Sequence, residues 1–200
     1  MTDIWTALAP QLAHLSPTHP REALALADTH RAEVAPPLVA LLEALAADPA
    51  PARADGYVLH LYAMLLLAAW RDTRAYRPLA ELGHLDEASI DEVFGQLVHD
   101  SYGRALASCC DGDIAPLTRL ADAASASLWA RAAALEAEMR GEVEEAGEVE
   151  AGRGGLDAAD IGVALPGGVD AVGEVVGEVV AAELQGLVVV RAGGGEEEGN

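Results

Sequence analysis

Tyr57-Val58-Leu59-His60-Leu61-Tyr62-Ala63-Met64-Leu65-Leu66-Leu67-Ala68-Ala69-Trp70 is the longest apolar run in the chain, and His60 is its one polar interruption. Fourteen residues are too few for a bilayer, which takes about 20 in helical form. Asp55 stands before the run and Arg71, Asp72 and Arg74 follow it, so its ends meet water or charge partners rather than lipid. The expectation is a helix buried inside protein, apolar on every side because other helices surround it.

Outward from that run the apolar residues of 1–140 keep a helical period. Leu38, Leu41, Leu42 and Leu45 follow the double proline Pro36-Pro37, which suits a first helical turn, and Asp48-Pro49 with Pro51 closes that helix. After the central run a short helix spans about 75–82 and stops at Gly83, and Asp86 caps a brief segment to Val93. A long helix is expected from about 94 to 110, with Val98, Tyr102, Ala105, Leu106 and Cys109 on one face, which makes Cys109 core. Gly112 ends it and Asp113 caps the next helix, whose stripe is Ile114, Leu117, Leu120, Ala121 and Ala124. In the last helix Leu128, Ala132, Leu135 and Met139 are in register, and the small residues Ala130, Ala132, Ala133 and Ala134 allow a neighbouring helix to come close. Helices arriving about every 20 residues make pairs near 40, the period of HEAT and armadillo stacks. The fold expected is all-α, a HEAT-like α-solenoid or an irregular stacked helical array, with an N-terminal helix in 1–19 and a helical-repeat domain over 20–140.

Composition divides the chain after Arg140. Residues 1–140 hold 19 acidic and 10 basic side chains, whereas 141–200 hold 14 against 2 together with 15 of the 20 glycines. The whole carries net charge −21 and contains no lysine, which argues against the phosphate neutralisation that drives nucleic-acid binding and against anionic membranes. Of the last 60 residues, 50 are Ala, Gly, Val, Asp or Glu, and only Ile161 and Asn200 fall outside amino acids whose codons start with G or C. A GC-rich gene read one frame off produces that alphabet, because its G or C wobble base then comes first. The tail thus reads as frameshifted; the alternative is a genuine low-complexity acidic segment with one weak helix along Val172, Val175, Val176, Val179, Val180 and Leu184. If the last helix has lost the neighbour that would follow it in a stack, its Leu128 stripe is left uncovered. Two cysteines, adjacent at 109 and 110, make no disulfide framework, and the N-terminal residues lack the charge and apolar core of a signal peptide. A cytoplasmic location is expected.

Three stretches together carry a family resemblance: residues 62–79 from Tyr62 through Trp70-Arg71-Asp72 to Leu79; Leu106-Ala107-Ser108 leading into Cys110-Asp111-Gly112-Asp113; and Trp129-Ala130-Arg131 through Ala137. With Arg21-Glu22-Ala23-Leu24 and Pro36-Pro37-Leu38, they resemble the bacterial domain of unknown function 1186 family over about residues 20–138. The resemblance implies a HEAT-like helical fold and no particular activity. It also implies that longer members go on into further helices and a Cys-rich zinc motif, which this chain does not carry past its departure at about Glu138.

The chemistry legible in single residues is sparse. Cys110 is the candidate reactive thiol, but His99, the nearest histidine in sequence, would lie about 15 Å away along one helix, whereas a nucleophile and its base need about 3 Å. The histidines at 14, 19, 30, 60, 84 and 99 form no i, i+4 pair and no zinc spacing, so neither metal nor cofactor is expected. Asp111-Gly112-Asp113 is too short for a calcium loop and reads as a turn. His60 reads as a hydrogen-bonded core or groove residue. The charged cluster Arg71, Asp72, Arg74 and Arg77 reads as caps and cross-links at a helix junction, or else as the rim of a groove for a peptide. Two functions follow: a non-enzymatic interaction module with a protein or peptide partner, or an enzyme whose site converges from several helices on Cys110, His60 or His99.

Overall fold

The computed structural model describes residues 4–151 except Pro17, His19 and Gln96, with the side chains of Val98, Asp100 and all residues after Arg140 also outside the description. Among the described residues the chain is all-helical, and its one extended pairing is an isolated antiparallel bridge between His14 and Tyr57. The helices are α1 (Ile4–Leu12), α2 (Arg21–Thr29), α3 (Arg31–Ala47), α4 (Leu59–Ala69), α5 (Tyr76–Leu82), α6 (Glu87–Phe94), α7 (Leu97–Asp100), α8 (Tyr102–Cys109), α9 (Ala115–Asp122) and α10 (Leu128–Ala151). The tail's predicted Val172 to Leu184 helix lies outside the described residues.

The central apolar run forms α4, and packing accounts for its lack of a polar face. It lies against α1, α3 and α8, so Leu59, His60, Leu61, Tyr62, Ala63, Met64, Leu66 and Leu67 are all buried. From α4 the stack runs on: α3 packs on α4, α4 on α8 and α8 on α10, while a second row follows α3, α5, α9 and α10. Leu8 and Leu12 of α1 belong to the same apolar core as Leu42, Leu67, Leu106 and Leu120. No described helix is long and apolar enough to cross a membrane.

Two local expectations are corrected. Pro36 and Pro37 do not open their helix; α3 begins at Arg31 and carries both prolines inside it. They leave the carbonyls of Ala32 and Glu33 without i+4 donors, yet burial of Val34 and Ala35 as well as Leu38, Val39, Leu42 and Leu45 holds both halves of the helix to the core. The single helix expected over 94–110 is in fact three pieces. Gly95 takes φ 53° and ψ −136°, a conformation that favours glycine, and ends α6. Ser101, at φ −124°, then separates α7 from α8. The buried face survives the breaks, since Tyr102, Ala105, Leu106 and Cys109 all point into the core. Periodicity foresaw which side chains are inside but not the bends that put them there.

The last helix behaves as its small residues suggest on one side. Ala130, Ala133, Ala134 and Ala137 are buried, and α8 comes so close that a Cβ on Gly103 would lie 3.0 Å from the Ala133 carbonyl oxygen. The N-terminus of α10 is tied down from outside: Ser127 Oγ accepts from the Trp129 N–H at 3.2 Å and the Glu87 carboxylate accepts from the Leu128 N–H at 3.2 Å. The helix does not stop at the composition break, because its backbone continues through Arg140 to Ala151.

Candidate functional site

The charged cluster after α4 sits on a tight reversal. The Asp72 N–H reaches the Leu67 carbonyl at 2.9 Å and the Arg71 N–H reaches that of Ala68 at 3.0 Å, the paired bonds of a Schellman ending with Arg71 in its left-handed position at φ 51°. The next turn is capped by Asp72, whose Oδ1 accepts from the Arg74 N–H at 3.1 Å. The Arg74 guanidinium returns to the same carboxylate with two bonds, at 2.8 and 2.5 Å. Hydrogen bonding from Arg74 holds the Asp72 carboxyl below the usual carboxylate range, against the opposing effect of burial.

A second turn, remote in sequence, is clipped onto this one. Gly112 at φ +92° lets Asp111 Oδ1 accept from the Asp113 N–H at 3.0 Å, and Asp113 Oδ1 accepts from the Ala115 N–H at 3.1 Å at the start of α9. The turn expected of Asp111-Gly112-Asp113 is there, but the cap position of α9 is Ile114, and Asp113 holds the Ala115 N–H from one residue outside it. Arg77 then spans the gap, with Nη2 at 3.1 Å from an Asp113 oxygen and 3.6 Å from one of Asp111. Beneath it the Tyr76 hydroxyl donates to the Asp113 carbonyl at 2.8 Å. Asp72 and Arg74 are therefore paired within the turn between α4 and α5, while Arg77 and Tyr76 tie α5 to the turn before α9. The Tyr76–Asp113 bond was not legible in sequence, since no spacing rule links residues 37 apart.

The junction brings Cys110 to Tyr76. Cys110 is half-buried and Cys109 fully buried, and the Cys110 thiol helps raise the Tyr76 hydroxyl, after the larger effect of burial. The Cys109 thiol is pushed up to about 12, first by burial and then by the negative charge of Asp72 and by Cys110. Near pH 8 such a group is thiolate only about one part in 10⁴. In a thiol-labelling time course, Cys109 is expected to react only on unfolding, and Cys110→Ser is expected to abolish labelling of the native protein. Equal native labelling of Cys109→Ser and Cys110→Ser would contradict this environment.

His60 lies at the other end of α4, about 16 Å along the axis from Arg71. Its Nε2–H donates to the Val93 carbonyl at 2.6 Å, its ring stacks on Tyr57 at 5.6 Å and tilts against Phe94 at 6.3 Å. Nδ1 is buried with no hydrogen-bond partner among the described residues. Burial lowers the pKa of His60 below 6.5, partly offset by the Val93 bond. Because the folded value is the lower one, stability is complete above about pH 6.5 and is lost as pH falls through the folded pKa. Asp72 and Asp86, lowered from 3.8, titrate below that window. The unfolding midpoint of the native chain is thus expected to drop, as pH falls below about 6.5, more steeply than that of His60→Gln. Parallel pH curves would remove His60 as the cause. His99 is on the surface, its ring edge-on to Trp129 at 4.2 Å.

Taken together, these residues define an all-helical protein whose junction charges tie helices together, and no group of three His, Cys, Asp or Glu among the described residues could hold a metal. The chain belongs to the family described as Protein of unknown function (DUF1186), whose model matches residues 5–145. The match reaches further at both ends than the 20–138 marked by the sequence patterns, and the composition break at Arg140 falls just inside it. Two relatives are each described as an uncharacterized protein. One, of Chlamydia trachomatis serovar D, is 32% identical over 117 residues, covering 58% of this chain and 46% of the relative. The other, of Chlamydia muridarum, is 31% identical over 117 residues, covering 58% and 47%. The chain thus spans about half the length of the curated relatives it matches. No solved structure matches it.

Proposed function

We propose that this protein is a helical-repeat interaction module, HEAT-like in its stacking, that binds another protein chain and performs no chemistry of its own. The reading rests on where the apolar surface is. Among the described residues the exposed large hydrophobic side chains are Ile114 at 57%, Leu128 at 68%, Trp129 at 49%, Leu135 at 51% and Met139 at 67% exposure. All five belong to α10 or to the turn that opens α9, at one end of the stack. Exposed apolar residues scattered singly need no explanation, whereas a concentration on one face marks a contact surface. Stacked helices present such faces because each layer buries its apolar side on the next.

A photo-cross-linking residue at position 135, in living cells, tests this. A discrete adduct is expected there and none from the same residue at Arg119, on exposed α9 surface. A position 135 that gives no more adduct than position 119 would overturn the interaction reading.

A further inference from the structure

The outer face of α10 has a pattern that selects its occupant. At 100° per residue, Leu128, Ala132, Leu135 and Met139 fall within about 60° of one another. The buried Ala130, Ala133, Ala134 and Ala137 lie on the opposite side, already packed on α8 and α9. The helix therefore turns its small residues inward and its large ones out, the reverse of an ordinary surface helix. Along one edge of this outer stripe stand Arg131 and Glu138, about 20° apart around the axis and two turns apart along it.

We propose that two copies of this chain pair through this face, α10 against α10, antiparallel about a two-fold axis. The proposal rests on the interaction reading and names its partner. In an antiparallel pair the same edge of each helix faces its counterpart. Setting Leu128 opposite Met139 of the second copy places Ala132 opposite Leu135, so a small residue receives a large one at the centre. The same register brings Arg131 to within about 3 Å along the axis of Glu138 of the second copy, and the symmetry repeats that contact. A parallel pair would instead set Glu138 beside Glu136 of the other copy. Within its own chain Arg131 uses Nε to bond the Ala121 carbonyl at 2.8 Å, and Glu138 uses Oε1 to accept from Thr118 at 2.8 Å. These bonds hold both side chains at the edge of the stripe, and pre-positioned charges of opposite sign fix register in such pairings. Ile114, exposed at the cap of α9, lies one turn before Thr118, whose hydroxyl bonds Glu138 next to Met139.

Sedimentation equilibrium of the purified full chain across the micromolar range is the test. The native chain is expected to show a concentration-dependent dimer. Ala132→Glu, at an exposed position whose side chain supports nothing in the fold, is expected to weaken dimerisation about a hundredfold, and Arg131→Glu about tenfold. Arg131→Glu combined with Glu138→Arg is expected to recover most of the loss, since each edge then meets its complement again. A native chain that is monomeric throughout, a dimer indifferent to Ala132→Glu, or a double reversal no better than the single would overturn the pairing. A monomer that still yields a discrete heteromeric adduct from position 135 in cells overturns the second copy as partner and leaves the interaction module standing. A monomer with no such adduct removes both.

Discussion

Tyr102→Ala is expected to lower the free energy of unfolding by about 3–5 kcal/mol, the range for removing a large aromatic from a packed core. Tyr102 opens α8 with no exposed surface, its ring 5.2 Å from that of Phe94 and its hydroxyl donating to the Leu79 carbonyl at 2.5 Å. It thereby joins α5, α6 and α8. Removing the ring leaves a cavity and takes one of two hydrogen bonds from the Leu79 carbonyl, which keeps the Gly83 N–H at 3.2 Å; a loss of that size is a large part of a domain stability of about 5–15 kcal/mol. Tyr102→Phe separates the two contributions and is expected to cost about 1 kcal/mol. Urea denaturation followed by circular dichroism measures both, and a loss under about 1 kcal/mol for the alanine variant would mean that α8 is not held as described.

Gly83→Ala is expected to destabilise by about 1–3 kcal/mol, the usual cost of overpacking a filled core. The reason is proximity and not backbone conformation, because Gly83 lies at φ −64°. A Cβ there would come within 2.5 Å of Leu120 Cδ2 and 2.6 Å of the Tyr102 hydroxyl. Leu120 has no exposed surface into which it could turn, and Tyr102 is held by its Leu79 bond. The two sites should therefore couple. In a Tyr102→Phe background one of the two clashes is gone, so Gly83→Ala is expected to cost less than in the native chain, while Leu120 keeps the cost above zero. Strict additivity in the double-mutant cycle would show that the methyl group is accommodated by movement elsewhere.

Much of the helical plan was readable because helix formation is local. A period of 3.6 residues needs only the chain itself, and so α4, α5, α9 and the stripe of α10 could be anticipated from Leu59 to Leu67, from the stop at Gly83, from Asp113 and from Leu128 to Met139. The cap at Asp86 and the turn bond from Ala115 to Asp113 were equally local, since a carboxylate and the N–H group it accepts from are two or three residues apart. The junction roles of Asp72 and Arg74 were near enough in sequence to be inferred as capping and cross-linking charges, with a peptide-groove rim as the second reading of the same charges.

What the sequence by itself determined was the helical alphabet, the burial of the central run and of the Tyr102–Cys109 face, the Asp111-Gly112-Asp113 turn and the change of composition at Arg140. Only the tertiary structure decided the rest. Gly95 and Ser101 break the 94–110 segment where periodicity saw one helix, because a residue's φ and ψ answer to its packing as well as to its neighbours in sequence. Pro36 and Pro37 sit inside α3 because burial on either side of them outweighs two missing hydrogen bonds. Arg77 meets Asp113, Tyr76 meets the Asp113 carbonyl and Trp70 donates to Asp28 across separations of 36, 37 and 42 residues. On α10 the small residues had marked a side for close approach, but both that side and the leucine stripe are apolar, and it is the packing of Gly103 on α8 against the alanines that leaves Leu128, Leu135 and Met139 facing out.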